Sequence, residues 1–124
     1  MKNESIAQSF KNAFSGFCQA LVKEHNMKIH IVATILVIVF GILFKLDTPR
    51  WLAVIFAIGL VFACELFNTA IELLTDMVTT EYSQQAKNVK DISAAAVLVS
   101  AVISVIIGII AFFRPIISLL ERNR

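Results

Sequence analysis

Glu65-Leu66-Phe67-Asn68-Thr69-Ala70-Ile71-Glu72-Leu73-Leu74-Thr75-Asp76 follows directly on an apolar run, Trp51 to Cys64, that no proline or polar residue interrupts. If the helix runs on at about 100° per residue, Glu65, Asn68, Glu72 and Asp76 fall within roughly 80° of arc. Three carboxylates and a carboxamide then form one stripe on an otherwise apolar helix. Ionisable groups are expensive inside a bilayer, and where they occur they mark ion paths, proton relays or reaction centres. The rest of the chain surrounds and uses that stripe.

At 124 residues the chain reads as a single domain, residues 1–124, and its 58% hydrophobic content with mean hydropathy +0.81 is too apolar for a soluble fold of this size. Charged residues, 16% of the total, gather between the apolar runs, as in a small multi-span membrane protein. A net charge of +2 gives no footing for nucleic-acid binding. Cys18 and Cys64 lie in apolar surroundings with no CxxC or Cys/His spacing, which reads as small buried hydrophobes rather than a metal site or a disulfide. The first long apolar run starts at Ile29, behind a lysine-bearing segment, unlike a cleaved signal peptide.

Residues 5–22 have the spacing of an amphipathic helix. Ile6, Phe10, Phe14, Phe17, Cys18 and Leu21 recur at intervals of three and four, with Gln8, Lys11, Asn12 and Gln19 off that face. Such a helix lies along a membrane surface or packs on the protein itself, and the pattern is the same for both. Lys23 to Lys28 is a polar hinge. A first span over 29–46 would be about 27 Å long, just enough for a hydrocarbon core of roughly 30 Å. Pro49 separates it from the second span, 51–79, which at roughly 43 Å overshoots the core. Residues 80–91 form a polar connection, and the third span covers 92–113. The first half of that span is rich in Ser and Ala, which lets helix backbones approach closely. Arg114-Pro115 ends it, leaving 116–124 as a tail at the opposite surface. The expected fold is therefore an all-α integral membrane protein of three transmembrane helices with an N-terminal surface helix.

Depth separates the acidic residues. Glu65 lies about 21 Å beyond Trp51, inside the core near its far edge, whereas Glu72 and Asp76 lie about 31 and 37 Å along, at or past the boundary. A lipid head group can reach the first, and water with a soluble ligand can reach the others. Glu24, Lys90 and Asp91 come to the same end. Carboxylates without a His/Cys cluster suit a hard cation such as Mg²⁺ shared with phosphate oxygens, and lysines hold phosphates as point charges. Together these residues describe phosphoryl transfer to a lipid hydroxyl, with a carboxylate in a low-dielectric setting as general base. The four glycines are scattered and no GxxxxGK[ST] loop is present, so side chains and metal would hold any nucleotide. On residue chemistry alone, catalysis and a non-enzymatic ion- or proton-conducting module stand level.

The motif Glu65-x-x-Asn68-Thr69-Ala70-Ile71-Glu72-x-x-x-Asp76, followed by Lys90-Asp91 and Ala94-Ala95-Ala96-Val97, closely resembles the bacterial diacylglycerol kinase / undecaprenol kinase family. The likeness extends over the surface helix, the Glu24-x-Asn26-Met27-Lys28 hinge, the three spans and the loop. It departs from the family's usual Ala-Lys-Asp and Ala-Gly-Ala at Val89-Lys90-Asp91 and Ala94-Ala95-Ala96. The resemblance implies a homotrimer with active sites shared between neighbouring subunits, ATP as phosphoryl donor and Mg²⁺ as cofactor. By the same resemblance Glu65 is the general base, and Asn68 helps place the lipid hydroxyl and the γ-phosphate. Glu24 and Glu72 hold Mg²⁺ against the nucleotide, and Asp76, Lys90 and Asp91 contact the nucleotide.

His30, within Glu24-x-Asn26-Met27-Lys28-x-His30, resembles the Gram-positive branch of that family and joins Glu65 and Asn68 as an expected lipid contact. Undecaprenol is therefore the expected substrate and diacylglycerol the alternative. Six Lys and Arg residues lie on the amino-terminal face against five on the other, which leans toward a plasma-membrane protein with its amino terminus and active site in the cytoplasm.

Overall fold

A computed structural model describes residues 5–123 as four helices: α1 (Ile6–Lys23), α2 (His25–Leu43), α3 (Thr48–Val78) and α4 (Gln84–Arg122). The last three are long and apolar enough to cross a membrane. Most side chains on their outer faces, among them Ile35, Leu36, Ile55, Phe56, Val102 and Ile106, are exposed and apolar. That is how a spanning helix meets lipid.

Helix α1 is capped by the Ser5 hydroxyl, which accepts from the Gln8 N–H at 3.3 Å. Ile6, Phe10 and Phe14 stay exposed, and only the last turns touch the bundle, through Ala20 and through Phe17 against Phe62 at 6.1 Å between ring centroids. Its apolar face therefore has no partner among the described residues for most of its length, as suits a helix lying in the acyl boundary. The hinge expected over 23–28 is shorter than that. Only Glu24 leaves the helical conformation, with φ −97° and ψ 122°, because nothing in His25 to Lys28 interrupts the next helix.

At the other end, α2 stops at Leu43 rather than at 46. The Lys45 N–H bonds the Ile42 carbonyl at 3.1 Å and the Leu46 N–H bonds the Gly41 carbonyl at 3.0 Å, with Lys45 at φ 51°. These paired bonds and the left-handed residue between them form a Schellman closure. Leu46 leaves the helix but is folded back into the core beside Val54 and Ala111. Asp47 then caps α3, accepting from the Arg50 N–H at 3.2 Å, with Pro49 in the first turn, where its missing N–H removes no bond. Gly41 is required here: a Cβ on it would stand 2.6 Å from the Trp51 ring, so α2 and α3 approach through the absence of that atom.

Two expectations about α4 are corrected. It starts at Gln84, capped by Ser83, so Lys87, Lys90 and Asp91 are helical rather than part of a loop. It also runs through Pro115 to Arg122, so residues 116–122 continue the third span instead of forming a separate surface tail. Proline deprives one carbonyl of its donor, and the helix continues on both sides of it. The 39 residues make a rod of about 58 Å.

Helices α3 and α4 pack along their length. Ser93, Ser100 and Ala111 are buried on α4, and the Ser104 hydroxyl lies 3.2 Å from the Ala57 carbonyl on α3. Ala94, Ala95 and Ala96, expected at this contact, are exposed; the small residues that admit α3 recur at sevens and fours, on one face only. The Leu46/Val54/Ala111 core closes one end of the bundle, and the acidic stripe occupies the other half of α3.

Candidate active site

The uninterrupted α3 turns its stripe inward at Glu65 and outward by Asp76. Glu65 is 1% exposed and Asn68 6%, whereas the Asp76 side chain is 54% exposed. A buried carboxylate needs a donor, and Glu65 has one across the helix interface: His30 Nε2 on α2 lies 3.0 Å from Glu65 Oε1. The neighbouring Thr69 hydroxyl does not serve it, donating instead to the Glu65 main-chain carbonyl at 2.9 Å.

One turn on, Asn68 is held from two sides. Its Nδ2 donates to Glu72 Oε1 at 3.2 Å, and its Oδ1 accepts from Ser93 Oγ of α4 at 2.6 Å. A carboxylate only accepts, so the amide nitrogen must face Glu72, and the orientation of the Asn68 amide follows. Ser93 was not foreseen as a site residue. Its position two residues after Asp91, in a run of small side chains, reads as packing alone, and only the register between α3 and α4 brings it to Asn68.

Glu65, Asn68 and His30 line a cavity of about 270 Å³ together with Asn26 and Ile29 of α2 and Ala94, Val97, Leu98 and Ala101 of α4. Its polar groups converge on one side and the opposing wall is hydrocarbon. That arrangement suits an amphipathic molecule presenting one hydroxyl to the carboxylate. An apolar groove lined by His30, Val37, Val54, Val61, Phe62 and Ala101, among others, continues from it between the three spans.

A second pocket, of about 690 Å³, opens where α3 hands over to α4, lined by Thr75, Asp76, residues 79–83, Ala86, Lys87, Lys90 and Asp91. Lys90 Nζ lies 2.5 Å from Asp76 Oδ1, and Lys87 pairs with Asp91. Glu72 stands between the two pockets, about 10 Å along the axis from Glu65 and about 6 Å from Asp76.

The fold thus forms two separate hydrogen-bonded groups along α3, His30 with Glu65 and Ser93 with Asn68 and Glu72, and places Asp76, Lys90 and Asp91 together around the polar pocket. Glu24 is half-buried at the joint of α1 and α2 and lines neither pocket. Among the described residues, no three His, Cys, Asp or Glu side chains stand close enough to share one metal ion.

Residues 11–112 match the family described as prokaryotic diacylglycerol kinase. An undecaprenol kinase of Bacillus subtilis is 39% identical over 105 residues, 85% of each chain. A diacylglycerol kinase of Synechocystis is 34% identical over 117 residues, covering 94% of this chain and 67% of its own. A diacylglycerol kinase of Escherichia coli is 29% identical over 94 residues, 76% of this chain and 77% of its own.

Proposed function

The chain belongs to the prokaryotic diacylglycerol kinase family and is a membrane lipid kinase, and on that premise we propose that it transfers the γ-phosphoryl group of ATP to the hydroxyl of undecaprenol. A non-enzymatic ion- or proton-conducting module, which the acidic stripe alone leaves open, is not supported by these relatives.

The observation that carries the reading is Glu65, buried between the spans, hydrogen-bonded to His30 and lining a cavity with one polar and one hydrocarbon wall. Glu65 takes the proton of the lipid hydroxyl. The freed oxygen forms its bond to the γ-phosphorus while the bond to the β–γ bridging oxygen breaks, and ADP leaves with that electron pair. Asn68, tied to Glu72 on the nucleotide side and adjoining Glu65 on the lipid side, aligns hydroxyl and phosphoryl group. Asp76, Lys90 and Asp91 contact the nucleotide from the polar pocket.

Glu24 and Glu72 would hold Mg²⁺. Two carboxylates without His or Cys fit a hard cation that completes its shell with phosphate oxygens and water. When bound, the ion supplies charge neutralisation at the transferring phosphoryl group. The family resemblance implies a homotrimer with shared sites, in which a neighbouring subunit would contribute one of the two carboxylates. Mixed trimers of Glu24→Gln and Glu65→Gln subunits then recover part of the activity that each variant lacks alone, and no recovery contradicts sharing. The whole chain acts as one kinase domain in the plasma membrane, its amino terminus and site facing the cytoplasm, where ATP is.

Purified protein assayed with undecaprenol and diacylglycerol in identical mixed micelles decides the acceptor. The undecaprenol reading requires the higher kcat/KM for undecaprenol, and a large preference for diacylglycerol overturns it in favour of the activity for which the Synechocystis and Escherichia coli relatives are named.

A further inference from the structure

Resting on the reading of Glu65 as the base, we infer that His30 is its positioning residue: the Nε2–H donated to Glu65 Oε1 holds the carboxylate turned so that Oε2 meets the lipid hydroxyl.

A carboxylate that acts as base only accepts, so on that reading the 3.0 Å contact is an Nε2–H of His30 donated to Oε1. The two groups differ sharply in surroundings, the His30 side chain being 20% exposed and that of Glu65 1%. A charged carboxylate so enclosed is tolerated only with a donor, and the candidates can be eliminated one by one. The Asn68 amide hydrogens face Glu72, the Thr69 hydroxyl faces a main-chain carbonyl, and α4 contributes only Ala94, Val97, Leu98 and Ala101 to this wall. Among the described residues His30 is the one side chain that donates to Glu65. No charged side chain other than Glu65 lines the cavity.

The bond also distinguishes the two oxygens. Oε1 is committed to His30, whereas Oε2 has no hydrogen bond from the described residues and belongs to a side chain that lines the cavity. Oε2 is therefore the atom that receives the proton when the lipid O–H bond breaks, the new O–P bond forms and ADP departs. This assigns His30 to action through Glu65 rather than to the direct lipid contact expected of it from sequence. Holding one rotamer of a base is a contribution to kcat, because misorientation is felt in the transition state more than in binding.

The test compares His30→Leu, which keeps bulk and loses the donor, with His30→Gln, which keeps an N–H at similar reach. Both full-length variants are assayed for kcat, KM for ATP and KM for undecaprenol beside Glu65→Gln in the same micelles. His30→Leu is expected to lower kcat by about tenfold with KM for ATP within about twofold of the parent, and His30→Gln to stay within about threefold of the parent kcat. A Leu variant as active as the parent or more active than Gln, or an effect confined to KM for undecaprenol, overturns the inference. Should His30→Leu lose its helical circular dichroism, His30→Gln decides alone: a kcat near the parent's supports the inference, and a fall of about tenfold overturns it. Glu65→Gln separates the two levels. If it retains turnover, the base assignment falls and takes the His30 role with it; if it is inactive while His30→Leu is unaffected, only the His30 role falls.

Discussion

Ser93 Oγ donates to Asn68 Oδ1 at 2.6 Å, and this bond sets the rotation of the amide that lies between the buried base and Glu72. Ser93→Ala removes this bond, together with the hydroxyl's 2.9 Å contact to the Lys90 carbonyl of its own helix, and leaves the helices otherwise able to pack, since Ala is smaller. A net hydrogen bond is worth about 1 kcal/mol, or roughly fivefold in rate if it is felt mainly in the transition state. Steady-state assays should show kcat reduced by about that factor with KM for ATP nearly unchanged.

Lys90 and Asp76 join α4 to α3 at the rim of the polar pocket, but both are partly in solvent, with side chains 37% and 54% exposed. Exposed ion pairs contribute little to stability. Lys90→Gln should therefore leave the thermal unfolding midpoint almost unmoved while raising KM for ATP several-fold, as expected for a point charge that holds phosphate. A lowered midpoint with unchanged KM would assign the pair a structural role instead.

Gly41 admits the Trp51 ring, which packs against Leu46, Val54 and Ala111. Gly41→Ala forces the ring outward or the helices apart, and overpacking of this kind costs about 1–3 kcal/mol. The expected result is a lower unfolding midpoint in detergent, with kcat spared because the site lies at the other end of the bundle. Trp51→Phe in the Gly41→Ala background should restore part of the loss, and strict additivity of the two changes would contradict the proposed clash.

Much of this architecture was legible because the signals were strong. Apolar runs of spanning length gave the three long helices, the Phe10/Phe14/Phe17 spacing gave the amphipathic α1, and rise per residue separated Glu65 from Asp76 along α3. The errors share a physical cause. Pro115 is a stop signal in sequence, but it withholds only one i→i−4 donor, and α4 continues through it. Leu46 looked like the last residue of a span because it is apolar; it is the buried residue of a helix-ending closure, and apolarity reports burial rather than conformation. Ser93 and the His30–Glu65 bond depend on which faces of α2, α3 and α4 meet, and that register comes from packing between elements far apart in sequence.

The most direct test of Glu65 as general base is the turnover and ATP binding of Glu65→Gln, a change that removes the proton acceptor and keeps the side chain's shape. Turnover with undecaprenol should fall by a factor of about 10²–10⁴, the usual contribution of a positioned base, while the dissociation constant for ATP stays close to that of the parent. Retained turnover, or loss of activity that follows entirely from loss of ATP binding, would contradict the account.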